Sequence, residues 1–313
     1  MTTLQGRTLL MSGGSRGIGL AIAVRAARDG ANVVLLAKTD RPDPRLPGTV
    51  HTAVADIERA GGRAVAVVGD VRRDEDAERA VRTAVDRFGG IDVVINNASA
   101  LDLRRTTDIT MKSYDLMQGI NARGTFLLSK LAIPQLAESD RAHILTLSPP
   151  LDLRPQWAGS YLAYTMAKYG MSLVTLGLAE ELRGAGIAVN SLWPRTTIAT
   201  AAIANLLGGE ESVARARTPG IVADAAHAIL VRDSRTCTGN FFLDEDVLVE
   251  EGVTDLDRYR AGDGDQPLDA DLFLDPVGPL AVNLVNDACE TASPGSGCPK
   301  RTRPTRSVSP PWT

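Results

Sequence analysis

The sequence predicts a doubly wound α/β fold, with a mainly parallel seven-stranded sheet, helices on both faces, and a single domain followed by a C-terminal tail. Three observations predict it. Short apolar runs alternate along the chain with segments whose apolar residues recur at helical spacing. The first run ends in a glycine-rich loop that opens a helix. The 313 residues are 44% hydrophobic and 23% charged, an ordinary globular balance for one such domain. The domain is expected over residues 1–246, with an acidic extension packed on it over 247–275. Residues 276–313, rich in Pro, Ser, Thr and Gly, are expected to form a disordered tail.

Composition narrows the function. A net charge of −4 argues against nucleic acid as the main partner. No apolar run approaches the roughly 18 residues a membrane span needs, and the start of the chain enters a strand-like segment without a targeting signal. Cys237, Cys289 and Cys298 are odd in number and far apart, so a disulfide framework is not expected and a reducing, cytoplasmic setting is. His51, His143 and His227 sit near no acid or cysteine cluster, which argues against a metal site.

The elements follow in order. Thr8–Ser12 (TLLMS) is the first strand. It runs into Gly13, Gly14, Ser15, Arg16, Gly17, Ile18 and Gly19, after which helical spacing continues until Gly30 stops it. Strand, glycine loop and helix form the setting in which a pyrophosphate approaches main-chain N–H groups at a helix N-terminus. Residues 31–37 (ANVVLLA) make a buried second strand tipped by Lys38. An acid at such a tip would take the ribose of NAD(H). Lys38 and Arg16 instead offer two cations, which suits the 2′-phosphate of NADP(H); nearby Asp40 keeps NAD(H) open.

Residues 40–49, with three prolines, read as a stiff loop before a helix over 50–60. Arg63–Val68 is the third strand, leading to Asp70 and Val71. Asp70 can accept a hydrogen bond from an adenine amino group or cap the next helix. That helix carries one apolar stripe through Ala77, Ala80, Ala84 and Phe88. Residues 91–95 form the fourth strand, and Asn96, Asn97 and Ala98 follow; they either tie strand ends beside the cofactor or make a polar turn. A long helix is expected over 111–137. Asn121 in its middle is a mediocre helix former, which invites a local distortion or a held water near Lys168.

Residues 143–147 deliver Ser148 from a fifth strand; residues 187–192 and 240–243 supply the last two. Beyond the sixth, 198–207 reads as a short apolar helix able to lid a ligand, and Ile198, Ile203, Leu206 and Leu207 favour a greasy one.

The chemistry gathers between Ser148 and Lys168. Tyr164 and Lys168 are four apart, on one face of a helix expected over 164–182. A free phenol titrates near pH ~10, and an ammonium beside it is expected to lower that value toward a range useful for acid/base work. The helix is apolar almost all round, which suggests a subunit interface as well as the sheet.

SGGSRGIG (12–19), GDV (69–71), NNAS (96–99), Asn121, Ser148, Tyr164-x-x-x-Lys168 and Trp193-Pro194 stand in an order that resembles the short-chain dehydrogenase/reductase family, over about residues 4–245. Ser12, Ser99 and Arg195 depart from the residues usual there. Tyr161 lies at the usual distance from Ser148, but Thr165 follows it four residues on, so the lysine selects Tyr164. The resemblance implies hydride transfer between a nicotinamide ring and a carbonyl or secondary alcohol. Tyr164 would exchange the proton, Lys168 would lower the phenol pKa and bind the nicotinamide ribose, Ser148 would orient the substrate oxygen, and Asn121 would hold a relay water. Thr197 would reach the nicotinamide carboxamide. The rest of the implied cofactor contacts come from Gly13, Ser15, Arg16, Gly17, Ile18 and Gly19 of the loop, from Lys38, Asp70 and Val71, and from Asn97, Ala98 and Pro194. The implied partners are a small lipophilic substrate and further copies of the chain, as a homodimer or homotetramer. A cofactor-binding sensor or structural subunit without chemistry is the alternative, although such chains usually lose the tyrosine or the lysine kept here.

Overall fold

Alternation along β1 (Thr8–Ser12) decides how the sheet is covered. Leu9 and Met11 enter one apolar cluster and Leu10 the other, all three fully buried. Successive strand side chains point to opposite faces, so an all-apolar strand needs a layer on each side. On the first face lie α1 (Gly17–Ala27), α2 (Val50–Arg59) and the helix Gly220–Leu230, through Ile22, Ile57 and Ile229. On the second lie α3 (Asp74–Phe88), α5 (Gly124–Leu136) and α7 (Leu162–Glu181), through Ala80, Leu128 and Leu178.

The computed structural model describes residues 3–43, 47–201, 203, 209–264 and 266–275, which fall in one compact unit. The tail expected over 276–313 lies outside the described residues, as does half of the lid helix expected over 198–207, including Leu206 and Leu207; its first residue, Ile198, instead bridges to Arg217. The other strands are β2 (Asn32–Ala37), β3 (Arg63–Val68), β4 (Val93–Asn96), β5 (His143–Thr146), β6 (Ala188–Trp193) and β7 (Phe241–Leu243). They pair in the order β3-β2-β1-β4-β5-β6-β7, and every pairing is parallel. The doubly wound, seven-stranded expectation holds. The order reverses between β1 and β4, and a crevice for a ligand opens at the strand C-termini at such a switch point. Ser12 pairs with Asn96 there, so the glycine loop and Asn97 share that edge.

Three local expectations change. The helix expected over 111–137 is α4 (Met111–Gln118), a π turn over Gly119–Arg123, and α5. The N–H of Gly124 reaches back to the carbonyl of Gly119, which inserts the extra residue of a π turn at Asn121. The site helix starts at Leu162, not Tyr164, because a separate short helix, α6 (Pro155–Ser160), precedes it with Pro155 in its first turn. Asp70 does not cap α3: Arg73 occupies the N-cap, while Asp76 in the first turn accepts from the Asp70 N–H at 2.9 Å.

Candidate active site

On the cofactor side, Gly13 has φ +75°, and a Cβ there would fall 2.7 Å from the Cα of Ala98. A Cβ on Gly19 would fall 2.5 Å from the Asn97 amide nitrogen. Asn97 Nδ2 donates to the carbonyl of Gly13 at 2.7 Å, and the Ala98 N–H donates to Ser12 Oγ at 3.2 Å. The asparagine expected to tie strand ends does so. Arg16, with extended backbone, forms the N-cap of α1 and makes no side-chain cap, so the first N–H groups of the helix have no side-chain partner from that position. Ser15 is buried, while Gly17 and Ile18 are half-buried at the start of α1. Val71 is buried against α5, and Pro194 is buried at the end of β6.

Beside this loop an open cleft of about 370 Å³ is lined by Arg16, Lys38, Thr39, Asp40, Arg41 and Asp43. Lys38 Nζ lies 3.2 Å from Asp70, and Arg16 Nη2 donates to the carbonyl of Gly48 at 2.8 Å. Asp70 is gripped by Arg72 through both carboxylate oxygens, which with Lys38 holds its carboxyl well below the usual range. Asp40 accepts from His51 at 2.7 Å. Arg16 Nε and Thr197 Oγ1 are buried without a hydrogen-bond partner in the protein. Leaving such groups unmet costs free energy, so a ligand with acceptors and donors suits them. The glycine cradle and these two atoms fit a nicotinamide dinucleotide.

On the chemical side, Tyr164 is 5% exposed and Lys168 3%. Lys168 Nζ donates to the carbonyl of Leu147 at 2.8 Å and lies 5.0 Å from the centre of the Trp193 ring. Burial pushes the lysine down to about 7, partly opposed by the charge of Asp271. Tyr164 departs from expectation. Burial, then the charge of Asp271, pushes its phenol up from its ordinary value, and Lys168 is not among the causes. Withdrawal of solvent from an acid outweighs an ammonium that is itself partly discharged and turned to a carbonyl.

Ser148 Oγ is fully buried, 2.8 Å from Ser191 Oγ, which donates to Thr175 at 2.8 Å. It is thus the outer member of a hydroxyl chain running into the core. Asn121 is fully buried, and its side chain is spent on Ala100, accepting from the N–H at 2.8 Å and donating to the carbonyl at 3.1 Å. It fixes the loop after β4 at the π turn, while the Lys168 ammonium bonds to Leu147.

Sequence reasoning expected residues 247–275 to be an extension packed on the domain but assigned none of it to this site. Phe273 stacks on Tyr164 with ring centres 6.0 Å apart at 27°, and its ring also lies 5.4 Å from Tyr169 and 6.0 Å from Trp193. Asp271 and Asp244 both have carboxyls pushed up to about 7 by burial. Main-chain bonds lay this segment antiparallel along residues 195–197: the Asp271 N–H donates to Arg195 at 3.0 Å and the Thr197 N–H to Asp269 at 2.9 Å. The signal available was Leu272-Phe273-Leu274, an apolar triplet inside an acidic stretch. Among the described residues no cluster of His, Cys, Asp or Glu suits a metal, and no helix is long and apolar enough to cross a membrane.

Comparison with known proteins shows the family. The family described as short chain dehydrogenase matches residues 7–208. Hydroxysteroid dehydrogenase-like protein 2 of Xenopus tropicalis is 54% identical over 290 residues, which are 93% of this chain and 69% of that protein. The crystal structure of a short chain dehydrogenase from Mycobacterium thermoresistibile is 53% identical, covers 90% of this chain and 99% of its own, and superposes with a TM-score of 0.84. An NADH-dependent reductase, A1-R′, complexed with NAD, is 26% identical over 77% of this chain and 95% of its own, with a TM-score of 0.62. The matched stretch contains both the glycine cradle and the Tyr164–Lys168 helix, and the chain is accordingly an oxidoreductase dependent on a nicotinamide cofactor, a member of the short-chain dehydrogenase family.

Proposed function

We propose that the chain interconverts a carbonyl and an alcohol on a small lipophilic substrate, with NADP(H) preferred and Tyr164 as the proton-exchanging group. The observation that carries this reading is the placement of Tyr164 and Lys168, four residues apart and both buried, on the helix that packs behind Ser148 at the end of β5. The bound nicotinamide would supply or accept the hydride. A phenol held protonated can give its proton to an oxygen that gains negative charge, and Ser148 would share that oxygen. Lys168, anchored on Leu147, positions this part of α7 and would bind the cofactor's ribose. Thr197 would take the carboxamide. The cations lining the cleft by Lys38 favour a 2′-phosphate, and Arg16 and Lys38 would be its first contacts.

Exposed apolar residues on α7 (Leu162, Met166, Leu173, Leu176) and Phe126 on α5 support assembly as a homodimer or homotetramer. The deep burial of Tyr164 favours one competing reading, a cofactor-binding chain without chemistry. Oxidation of NADPH against a panel of lipophilic aldehydes and ketones decides. The parent should consume at least one of them, and Tyr164→Phe should abolish turnover while NADPH still protects against heat unfolding. A Phe variant that turns over at the parent rate would end the proton-transfer assignment.

A further inference from the structure

Tyr164 is 5% exposed and Ser148 fully buried, so as folded no substrate oxygen can touch either. Phe273 stacks its ring on that of Tyr164, with centres 6.0 Å apart. We propose that residues 269–275 are a strap that closes the substrate site, with Phe273 as the side chain that decides which carbonyls reach Tyr164. This rests on the reading of Tyr164 as the proton-exchanging group.

Three features say that the strap moves as a unit. Its near end is anchored, by main-chain bonds to residues 195–197 and to Arg215, by the Arg215–Asp269 ion pair, and by the Trp193 indole N–H donating to the Leu272 carbonyl at 3.0 Å. Its far end is latched by one ion pair, Arg154 Nη2 to Asp275 at 2.7 Å, with both side chains 46% exposed. Such half-exposed pairs are weak and easily broken. Phe273 has φ +71°, the one positive value outside glycine among the described residues, a strained conformation for a bulky side chain. Opening relieves that strain, uncovers Tyr164 and removes the Asp271 charge from beside it. The vacated place is walled by Tyr169 and Trp193, so its occupant is a carbonyl compound with a flat or apolar body.

Nitration of Tyr164 by tetranitromethane, mapped by peptide mass spectrometry with Tyr114 as internal reference, reads access without turnover. Phe273→Ala removes the plug, and Asp275→Asn cuts the latch on the surface without touching the core. Both should speed nitration of Tyr164 on the order of tenfold relative to Tyr114, as expected when a locally closed state opens. Across alkyl and aryl ketones of rising bulk with NADPH, Phe273→Ala should raise the ratio of kcat/KM for bulky over small members by a similar factor, about tenfold. Unchanged nitration in both variants overturns the strap, whatever the turnover. Faster nitration with no turnover by parent or variants leaves the strap standing and overturns the catalytic reading instead. Faster nitration with an unchanged bulk ratio overturns the role of Phe273 in selection.

Discussion

The ammonium of Lys168 donates a 2.8 Å hydrogen bond to the carbonyl of Leu147, the residue before Ser148. That bond ties the middle of α7 to the end of β5 and so fixes Tyr164 and Ser148 relative to one another. It also shows what Lys168 endures. A buried cation with one carbonyl and an aromatic face for company is poorly solvated, and its pKa falls from 10.5 to about 7. Between those values the unfolded chain binds more protons than the folded one, so this group's contribution to stability rises with pH across that window. Lys168→Met removes the buried charge at similar volume. Turnover should fall on the order of a hundredfold or more, because the positioned cation is gone. The melting temperature of the parent minus that of the variant should increase between about pH 7 and about pH 9. Melting curves that move in parallel would show that Lys168 is not discharged by burial.

Cofactor choice turns on Lys38. It is 59% exposed at the tip of β2, pairs with Asp70 at 3.2 Å, and lines the cleft with Arg16 and Arg41. A hydrogen bond to a charged phosphate is worth about 1.5–3 kcal/mol, so Lys38→Asp should weaken NADPH binding by roughly tenfold or more. NADH should be nearly unaffected, because it lacks the phosphate. Fluorescence titration with each cofactor checks this; equal losses for both would place the 2′-phosphate elsewhere.

The parts legible in the sequence are those set by local pattern. The Thr8–Ser12 run, the glycine loop and α1 could be read because an all-apolar strand and a helical stripe each have one burial solution. That Tyr164 and Lys168 share one helix followed from their spacing. The direction of the Tyr164 shift did not, because spacing shows which groups are near and says nothing of how much water remains around them. The π turn was half-visible: Asn121 flagged a distortion, but a single inserted residue leaves the apolar pattern of a helix nearly intact. Phe273 and Asp271 were hidden for a different reason. Their partners lie between 76 and 109 residues earlier, and only the finished sheet brings residues 195–197 alongside them.

His143 gives a test of the fold that is independent of the site. It opens β5 at 1% exposure, with Nε2 3.2 Å from the carbonyl of Arg232 and Nδ1 buried without a partner. Burial lowers its pKa from 6.5 to about 4, opposed in part by the Arg232 carbonyl. The folded state therefore holds the ring neutral while the unfolded chain takes up a proton below 6.5. Stability should be complete above that pH and decline as the pH falls toward 4, by on the order of 3 kcal/mol if burial is maintained. His143→Phe fills the same space without titrating. It also leaves the Arg232 carbonyl without its donor, a loss that does not vary with pH. Urea unfolding at steps from about pH 7 to about pH 4 should show the parent losing its lead over the variant. If both lose stability in parallel, the ring is not held neutral and the acid sensitivity arises from the carboxylate pairs.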